Sequence, residues 1–468
     1  MPFDKNTNIT ISTIKEKLRV NESFDVVYRV MDFNGKNAGI FFIDGLLKDT
    51  VVEKILEFFY SVKDEEAFKD AHAFSKRGVP YVEVDLSDDI EKIVTSVLSG
   101  MIALVIDGFD KAILIDTRTY PQRETSEPEK DRVLRGSKDG FVETLISNTA
   151  LIRRRIRTPL FTVKAFNVGS LSKTDVALCY IDNKVDKKLL DKMMDKISNL
   201  DVESLTMNQQ SLVEALYPFK WFNPFPKVKF TERPDTATAS IYDGNIVILV
   251  DNSPFATIIP TSIFDILEEA DDYYFPPITG TYLRLSRYLI SLTTLFITPL
   301  WLLALKYPSH IPDMFSFLIP SDNINIPIFW QLIMLELIID GLKLASLHTP
   351  NSISTTLSII GGIVLSDFAV KSGWFNAEAM LYMAFVAVSN YTQQSFELGY
   401  ALKFLRILLL ILTQIFNIWG FAVGVILTFI MVTFNKTVSG KSYLYPLIPF
   451  NGSALLKRII RRASPKNL

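Results

Sequence analysis

The 468-residue sequence has almost none of the residues that act through sulfur or imidazole chemistry. Its single cysteine, Cys179, excludes an internal disulfide and a cysteine-based zinc site. Three histidines, His72, His310 and His348, are far apart and match no metal-ligand spacing. The P-loop, GxGxxG, HExxH and GxSxG patterns are also absent. We therefore predict no catalytic residues, no metal and no cofactor, so that an enzyme is the weak alternative.

The sequence also lacks a strong net charge. The formal net charge is −2, so no overall positive field favours nucleic acid, and we expect no nucleic-acid partner. The first 20 residues are charged and contain no long apolar run, which argues against a secretory signal. No internal repeat is detectable from the sequence.

Hydrophobic residues make up 49% of the chain, and they are concentrated after Tyr288. Before that point, short β-rich runs alternate with amphipathic helical patterns, which predicts α/β structure. The expected fold is an α/β N-terminal region of two small subdomains, followed by an all-α polytopic transmembrane domain. The expected boundaries are a lead-in with one short helix at 1–36, subdomains at 37–120 and 139–280 around a linker at 121–138, a membrane domain at 281–434 and a basic tail at 435–468.

Two groups of arginines suggest contact with a membrane surface or another subunit. Four lie at the end of a helix predicted over 139–156, namely Arg153, Arg154, Arg155 and Arg157. Guanidinium groups match phosphate oxygens, although cations also stabilise a helix C-terminus without any ligand. Arg284 and Arg287 precede the first membrane segment, after an acidic helix predicted over Phe264–Tyr274, and this arrangement is typical of the cytoplasmic side.

The membrane domain contains five apolar segments. They are Tyr288–Leu305, Ile326–His348, Thr355–Val370, Ala377–Asn390 and Ile407–Phe434. The last is either one long helix or two short helices broken near residues 417–420, and we expect Lys403 and Arg406 in the loop before it. Because the N-terminal region and the basic tail are both expected in the cytoplasm, the number of full crossings should be even.

The second segment carries charges on one helical stripe. Glu336, Asp340 and Lys343 are spaced i, i+4 and i+7, and Asp367 lies in the third segment. A carboxylate at the bilayer centre costs roughly 2.5–3.5 kcal/mol, so this stripe must face protein, an ion partner or water. One hypothesis is an ion path lined by these four residues, with copies of the chain arranged around an axis. The alternative is a neutral seam in which Asp340 pairs with Lys343 inside the bundle.

Several collinear blocks resemble a known family. The blocks are RGSKDGFVETLISNTALIRRRIR at 135–157, SKTDVALCYID at 172–182, NPFPKVKFTERPD at 223–235 and YLYPLIPFN at 443–451. They resemble the A subunits of bacterial spore germinant receptors, the GerA family, over about residues 35–455. SKTDVALCY, NPFP and IPFN are most similar to the stage V sporulation branch of that family.

The resemblance implies a multi-pass protein of the endospore inner membrane with its N-terminal α/β domains on the cytoplasmic, spore-core side. It also implies a homo-oligomeric ring, expected to be a pentamer, that conducts monovalent cations during germination and acts with other spore germination membrane proteins. The alternatives are a receptor A subunit that works with B and C subunits, an ion-coupled transporter, and a scaffold without its own conduction path.

Overall fold

The computed structural model describes residues 7–18, 20, 26–43, 46–119, 124–125, 127–128, 131–158, 160–217, 221–348, 368–393 and 395–461. The chain divides into two compact units, residues 1–123 and 124–468. The first unit is α/β. The second unit contains both an α/β part and the long apolar helices.

The first unit is a five-stranded sheet with the strand order β1-β2-β4-β5-β3, in which neighbouring strands are antiparallel. Its strands are β1 (Val26–Phe33), β2 (Lys36–Ile43), β3 (Val84–Ser87), β4 (Ile102–Ile106) and β5 (Ala112–Ile115). Its helices are α1 (Thr7–Lys17), α2 (Asp49–Ser61), α3 (Ala71–Arg77) and α4 (Ile90–Leu98).

The central strand β4 shows why the sheet is covered on both faces. Successive side chains of a strand point to opposite faces. Ile102, Leu104 and Ile106 pack in the cluster that includes residues of α2 and α3. Ala103 and Val105 pack in the cluster that includes residues of α1 and α4. A strand that is apolar on both faces is stable where both faces are covered, and here helices cover both.

The α/β part of the second unit has the sheet order β6-β7-β9-β10-β8, again with antiparallel neighbours. Its strands are β6 (Phe161–Val168), β7 (Thr174–Ile181), β8 (Lys229–Thr231), β9 (Ile246–Val250) and β10 (Ala256–Ile259). Its helices are α5 (Leu145–Arg155), α6 (Lys187–Ser198), α7 (Asn208–Leu216) and α8 (Pro234–Tyr242).

The two α/β parts have the same topology, which is an internal repeat. Both run α-β-β-α-α-β-α-β-β along the chain, and both sheets place these strands in the same spatial order. The repeat is one of topology, and no matching repeat is detectable in the sequence. The shared signal is weak because a buried strand requires only apolar residues: β4 leads into Ile106-Asp107-Gly108, and β9 leads into Val250-Asp251-Asn252.

The predicted α/β class is confirmed, but several element boundaries differ. The expected lead-in at 1–36 contains strand β1, which pairs with β2 and therefore belongs to the first sheet. The helix predicted over 139–156 begins at Leu145. The helix predicted over Phe264–Tyr274 is two short helices, α9 (Ile263–Leu267) and α10 (Asp271–Tyr274).

The rest of the second unit is helical. Its elements are α11 (Pro277–Lys306), α12 (Ile328–His348), α13 (Ala369–Lys371), α14 (Ala377–Tyr391), α15 (Phe396–Thr433) and α16 (Gly452–Ile459). Within the described ranges, α11 and α15 are the two helices long and apolar enough to cross a membrane. Most of the third predicted segment, with Asp367, lies outside the described residues.

Helix α15 is a hairpin that reverses at Asn417. The backbone there has φ 52° and ψ −130°, which is not helical. A Cβ on Gly420 would lie 1.8 Å from the Leu412 oxygen, and one on Gly424 would lie 2.6 Å from Leu409 Cδ2. A straight helix would hold these residues far apart along its axis. Residues 396–416 therefore form a first limb, and residues 418–433 fold back on it as a second limb.

The last apolar segment was expected to be either one long helix or two short helices broken near residues 417–420. The break at Asn417 shows that it is two helices. The hairpin also corrects the position of Lys403 and Arg406. They were expected in a loop, but both lie inside the first limb, which begins at Phe396. The helix extends further towards the N-terminus than its apolar run because Lys403 and Arg406 have buried partners in the bundle.

Gly420→Ala should destabilise the hairpin, because the added methyl group meets a backbone oxygen that cannot rotate away. Overpacking of this kind costs about 1–3 kcal/mol. Gly399→Ala is the matched control, since no atom lies within 4 Å of its Cβ position and alanine favours a helix interior by about 1 kcal/mol. Thermal unfolding of the detergent-solubilised chain should show a lower midpoint for the first variant only. Equal midpoints would contradict the close approach of the limbs.

Candidate functional site

Two clusters of buried charge organise the second unit. The junction cluster connects the α/β part to the first long helix, and its side chains are Lys229, Asp265, Glu268, Glu269, Asp272, Arg284, Arg287 and Arg458. The charge quartet connects α12 to α15, and it consists of Glu336, Asp340, Lys403 and Arg406. Each cluster balances its formal charges internally.

Asp272 is the centre of the junction cluster and is fully buried. It accepts a hydrogen bond from Arg284 Nε at 3.2 Å and from Arg287 Nη2 at 2.7 Å. Arg287 also donates to the Leu267 carbonyl at 2.7 Å. Helix α11 comes close to this loop because Gly280 has no side chain: a Cβ there would lie 2.2 Å from the Asp272 oxygen. The acidic segment and the first turns of α11 therefore form one packed unit.

The C-terminal helix α16 joins the same cluster. Arg458 contacts Glu268 at 2.7 Å and Asp265 at 2.5 Å. Arg284 contacts Glu268 at 2.6 Å and also donates to the carbonyls of Lys457 and Arg458, both at 3.3 Å. These carbonyls lie in the last turn of α16, where backbone acceptors lack helical partners. Arg284 thus caps α16 while it neutralises the acidic loop.

The protonation of the two neighbouring glutamates is shifted in opposite directions. Burial alone raises the pKa of Glu268, but the nearby Arg458 and Arg284 outweigh burial and hold the pKa below its usual value. Burial also raises the pKa of Glu269, and Arg287 offsets this only in part, so that its pKa stays above the usual value. Glu268 is therefore a firmly charged member of the junction cluster.

The edge strand β8 completes this junction. Lys229 Nζ donates to the carbonyls of Asp265 and Glu268, each at 2.7 Å. Burial lowers the pKa of Lys229, although the adjacent Glu268 and Asp265 counteract part of that effect. The sheet is thereby attached, through its edge, to the loop that leads into α11.

The structure gives the two groups of predicted arginines different surroundings. Arg284 and Arg287 are buried among carboxylates, so little of either guanidinium group remains for lipid or another subunit. Arg155 pairs with Asp139 at 2.6 Å. Burial raises the pKa of Asp139, but hydrogen bonds from Arg155 and Ser137 outweigh it and lower the pKa.

The remaining arginines of that helix end are exposed. Arg153 stacks on Phe161, with its guanidinium carbon 4.3 Å from the ring centre, and donates to the Phe161 carbonyl at 2.9 Å. Arg154 and Arg157 are exposed, and Arg157 donates to the Arg154 carbonyl at 3.2 Å. Contact of this surface with a membrane or a subunit stays a prediction.

The charge quartet holds the first two residues of the predicted ion path. Glu336 is only 2% exposed, and its carboxylate lies 2.6 Å from Arg406 Nε and 3.5 Å from Lys403 Nζ. Asp340 contacts Lys403 directly and is 29% exposed at its side chain. Arg406 also donates to the Thr294 carbonyl of α11 at 3.1 Å. Three helices therefore share one buried set of ion pairs.

Lys343, the third predicted residue, does not belong to this quartet. Its Nζ lies 4.5 Å from the ring centre of Phe396 and 4.6 Å from that of Tyr400, which are cation–π distances. The alternative expected from sequence paired Asp340 with Lys343, whereas the structure pairs Glu336 and Asp340 with Lys403 and Arg406 of α15. The role of these residues in an ion path stays a prediction.

The sequence did not reveal the cations that pair with the buried acids or cap helix ends in the bundle. They are Lys403, Arg406, Arg458 and Lys306. Lys306 closes α11 and donates to the carbonyls of Thr413 and Gln414 at 3.0 and 2.7 Å, and to Asn417 Oδ1 at 2.8 Å. These acceptors end the first limb of α15, so the lysine caps that limb. The polar residues Gln414 and Asn417, inside an otherwise apolar segment, were the feature of the sequence that indicated such a turn.

A cavity of about 470 Å³ lies between β8, α7 and the start of α15. Two of its buried polar side chains already have partners: Gln209 accepts from Ser253 at 2.9 Å, and Asp131 accepts from Thr231 at 2.7 Å. We therefore assign no ligand to it. Across the described ranges, no group of three or more His, Cys, Asp or Glu side chains has the arrangement of a metal site.

Comparison with known proteins yields one family model and several relatives. The model for the Bacillus/Clostridium GerA spore germination protein matches residues 12–467. Stage V sporulation protein AF of Bacillus subtilis is 33% identical over 452 residues, which cover 96% of this chain and 91% of that protein. The uncharacterized membrane protein YfkQ of Bacillus subtilis is 28% identical over 91% of this chain and 83% of its own length.

The similar proteins include a solved structure. It is the crystal structure of the N-terminal domain of the A subunit of the Bacillus megaterium spore germinant receptor GerK3. The two chains are 23% identical, and the match covers 55% of this chain and 96% of that chain with a TM-score of 0.21. A score this low does not support an argument from the superposition.

The ion pair between Glu336 and Arg406 predicts strong energetic coupling. Glu336→Gln or Arg406→Gln alone leaves a buried charge without its main partner, which costs about 3–5 kcal/mol. The double variant removes both charges, so it should cost less than the sum of the two single changes. The free energy of unfolding in mixed detergent micelles measures this cycle.

The exposed pair of Asp85 and Lys92, 2.6 Å apart, is the control for that cycle. Asp85→Asn should change the free energy of unfolding by no more than about 1 kcal/mol, because solvent screens an exposed pair. Additive effects of the two substitutions in the Glu336–Arg406 cycle would show that this pair contributes no coupling.

Proposed function

Because the chain belongs to the Bacillus/Clostridium GerA family of spore germination proteins, we propose that it is a membrane subunit of a germination complex. We place it in the endospore inner membrane as a multi-pass protein, with its α/β units on the spore-core side. In the finer form of the proposal, copies assemble into a ring, expected to be a pentamer, that conducts monovalent cations early in germination. Other germination membrane proteins are its expected partners.

The alternation of helix ends is the observation that supports a multi-pass arrangement. Helix α11 starts at the junction cluster, beside the sheet edge, and ends at Lys306, which contacts the turn of the α15 hairpin. The second limb of α15 returns to the α/β part, where Asn435 accepts from Asn223 Nδ2 at 3.0 Å. The bundle thus has one end at the sheet and one end at the hairpin turn.

The other two long helices fit the same pattern. At the start of α12, Gln331 Nε2 donates to Asn376 Oδ1 at 2.8 Å, which places the start of α14 at the same level. Towards the other end of α12, Lys343 reaches Phe396 at the start of α15. Both helices therefore run in the direction opposite to α11. A bundle of antiparallel apolar helices, with its polar groups turned inwards, is the arrangement that a bilayer favours.

The conduction proposal rests on Asp340. Glu336 is enclosed by cations and has no contact with solvent that an ion could use. Asp340 is partly exposed and borders a small cavity together with Lys343, Asn390 and Tyr400. Rings of acidic side chains select cations in channels. We therefore assign the ion path to the face of α12 that carries Asp340.

A scaffold without a conduction path is the second candidate, and the charge quartet favours it. The sequence favoured a water-filled path because unpaired carboxylates are costly at the centre of a bilayer. Lys403 and Arg406 remove that cost for Glu336 and Asp340 within a single chain. The buried acids are then explained by bundle packing alone.

Potassium flux through the full chain in liposomes separates these two candidates. If Asp340 lines the path, Asp340→Asn should lower the flux several-fold, whereas Lys403 keeps Glu336 as a partner and the fold survives. Asp313→Asn removes an exposed charge from the loop after α11 and should leave the flux unchanged. Images of the extracted particle give the symmetry of the ring.

Three results would each contradict one part of the proposal. Flux that Asp340→Asn leaves unchanged contradicts the assigned path. A symmetric ring with no flux, with or without co-purified germination proteins, favours the scaffold. A particle with one copy of the chain contradicts the homo-oligomer.

A further inference from the structure

Two adjacent aromatic residues project from the loop before strand β8. Trp221 is 96% exposed, and Phe222 is 59% exposed. Their ring centres are 6.4 Å apart in an edge-to-face arrangement. Single exposed apolar residues are common on proteins and need no explanation. A tryptophan that is almost fully exposed beside a second large aromatic residue is a stronger sign of a surface that is covered in use.

The residues that follow this pair fix its position next to the end of the α15 hairpin. Asn223 Nδ2 donates to Asn435 Oδ1 at 3.0 Å, and Lys227 Nζ donates to the same oxygen and to the Lys436 carbonyl at 3.3 Å. Phe225 packs on Tyr443 with ring centres 5.6 Å apart. The second limb ends at Thr433, so these contacts hold the loop at the level where the hairpin leaves the bundle.

The segment bound by this loop carries exposed aromatic and basic residues of its own. Phe434 is 75% exposed and Phe450 is 74% exposed. Lys436 and Lys441 are exposed nearby in the chain, and Lys441 lies 4.8 Å from the ring centre of Tyr445. Tryptophan and other aromatic residues concentrate at the two surfaces of a bilayer, and lysines beside them attract anionic head groups.

We propose that Trp221 and Phe222 insert into the head-group layer of the bilayer and anchor the α/β part to the membrane beside the α15 hairpin. The aromatic rings enter the interface between head groups and acyl chains. Lys436 and Lys441 stay above them against the phosphates. The α/β part is then attached to the membrane at this loop and, independently, through the junction cluster at α11. This inference rests on the membrane assignment of the proposed function.

The sheet itself provides a control position. Strand β8 is the edge that faces the long helices, since Lys229 binds the loop before α11. The hairpin between β6 and β7 lies at the opposite edge of the sheet and carries Leu171, which is 77% exposed. An exposed apolar residue at that edge should be in water. Leu292, exposed on α11, supplies a position that should face acyl chains.

Nitroxide labels at these three positions test the proposal on the full chain in phosphatidylglycerol-containing vesicles. The native Cys179 is fully buried, and burial raises the pKa of its thiol to about 12, so the unsubstituted chain should take up almost no label. The labelled variants are Trp221→Cys, Leu171→Cys and Leu292→Cys. Collisions with oxygen report exposure to acyl chains, and collisions with a water-soluble nickel complex report exposure to solvent.

The label at position 221 should fall between the other two: protected from nickel several-fold relative to position 171, and more accessible to oxygen than position 171, but less extreme in both than position 292. Nickel accessibility equal to that of position 171 would overturn the proposal. Protection from both reagents would also overturn it, because the loop would then be covered by another protein chain. If the label at 292 is itself open to nickel, the membrane assignment fails, and this failure is distinct from that of the anchor.

A second measurement keeps the native tryptophan. Brominated lipids quench a tryptophan that lies near the head groups, and the difference in fluorescence between the unsubstituted chain and Trp221→Phe isolates the signal of Trp221. That difference signal should be strongly quenched in vesicles. An unquenched difference signal would contradict insertion even if the label at position 221 were shielded.

Discussion

The buried carboxylate of Asp272 is the interaction on which the architecture of the second unit depends. It accepts hydrogen bonds from two arginines of α11 and has no exposure to solvent. A buried carboxylate is tolerated only where cations and donors surround it. The first turns of α11 must therefore stay against the acidic loop, and through Arg284 they also hold the C-terminal helix α16. Sheet edge, first long helix and tail are fixed by one set of charges.

The α/β region was largely predictable because local pattern and burial agree there. β4 and β9 are short apolar runs that end at turn residues, and α4 has a clear apolar face with Asp89 as its N-cap. The repeat was not predictable in the same way. Topology is shared between the two sheets, but apolar residues can replace one another in a buried strand, so two sheets of the same topology need not have similar sequences.

The sequence indicated only one partner of each ion pair in the charge quartet. Helical spacing correctly placed Glu336 and Asp340 on neighbouring turns of one face. Their partners are more than sixty residues away in sequence, and no local rule connects such positions. Lys403 and Arg406 were assigned to a loop because charges normally end an apolar helix, whereas here the opposite charges on α12 let the helix continue. Arg458 was not recognised for the same reason, because its partners Asp265 and Glu268 lie far away in the sequence, before the start of α11.

The neutrality of the charge quartet has an electrical consequence. Two carboxylates and two cations sum to zero formal charge, so a transmembrane voltage exerts no net force on the quartet as a unit. A single unpaired charge moved across the same field is worth about 2.3 kcal/mol per 100 mV. In a membrane, the pairing of α12 with α15 therefore leaves no net charge in this part of the bundle for the potential to move, and a change that separates Asp340 from Lys403, or Glu336 from Arg406, would make it sensitive to voltage.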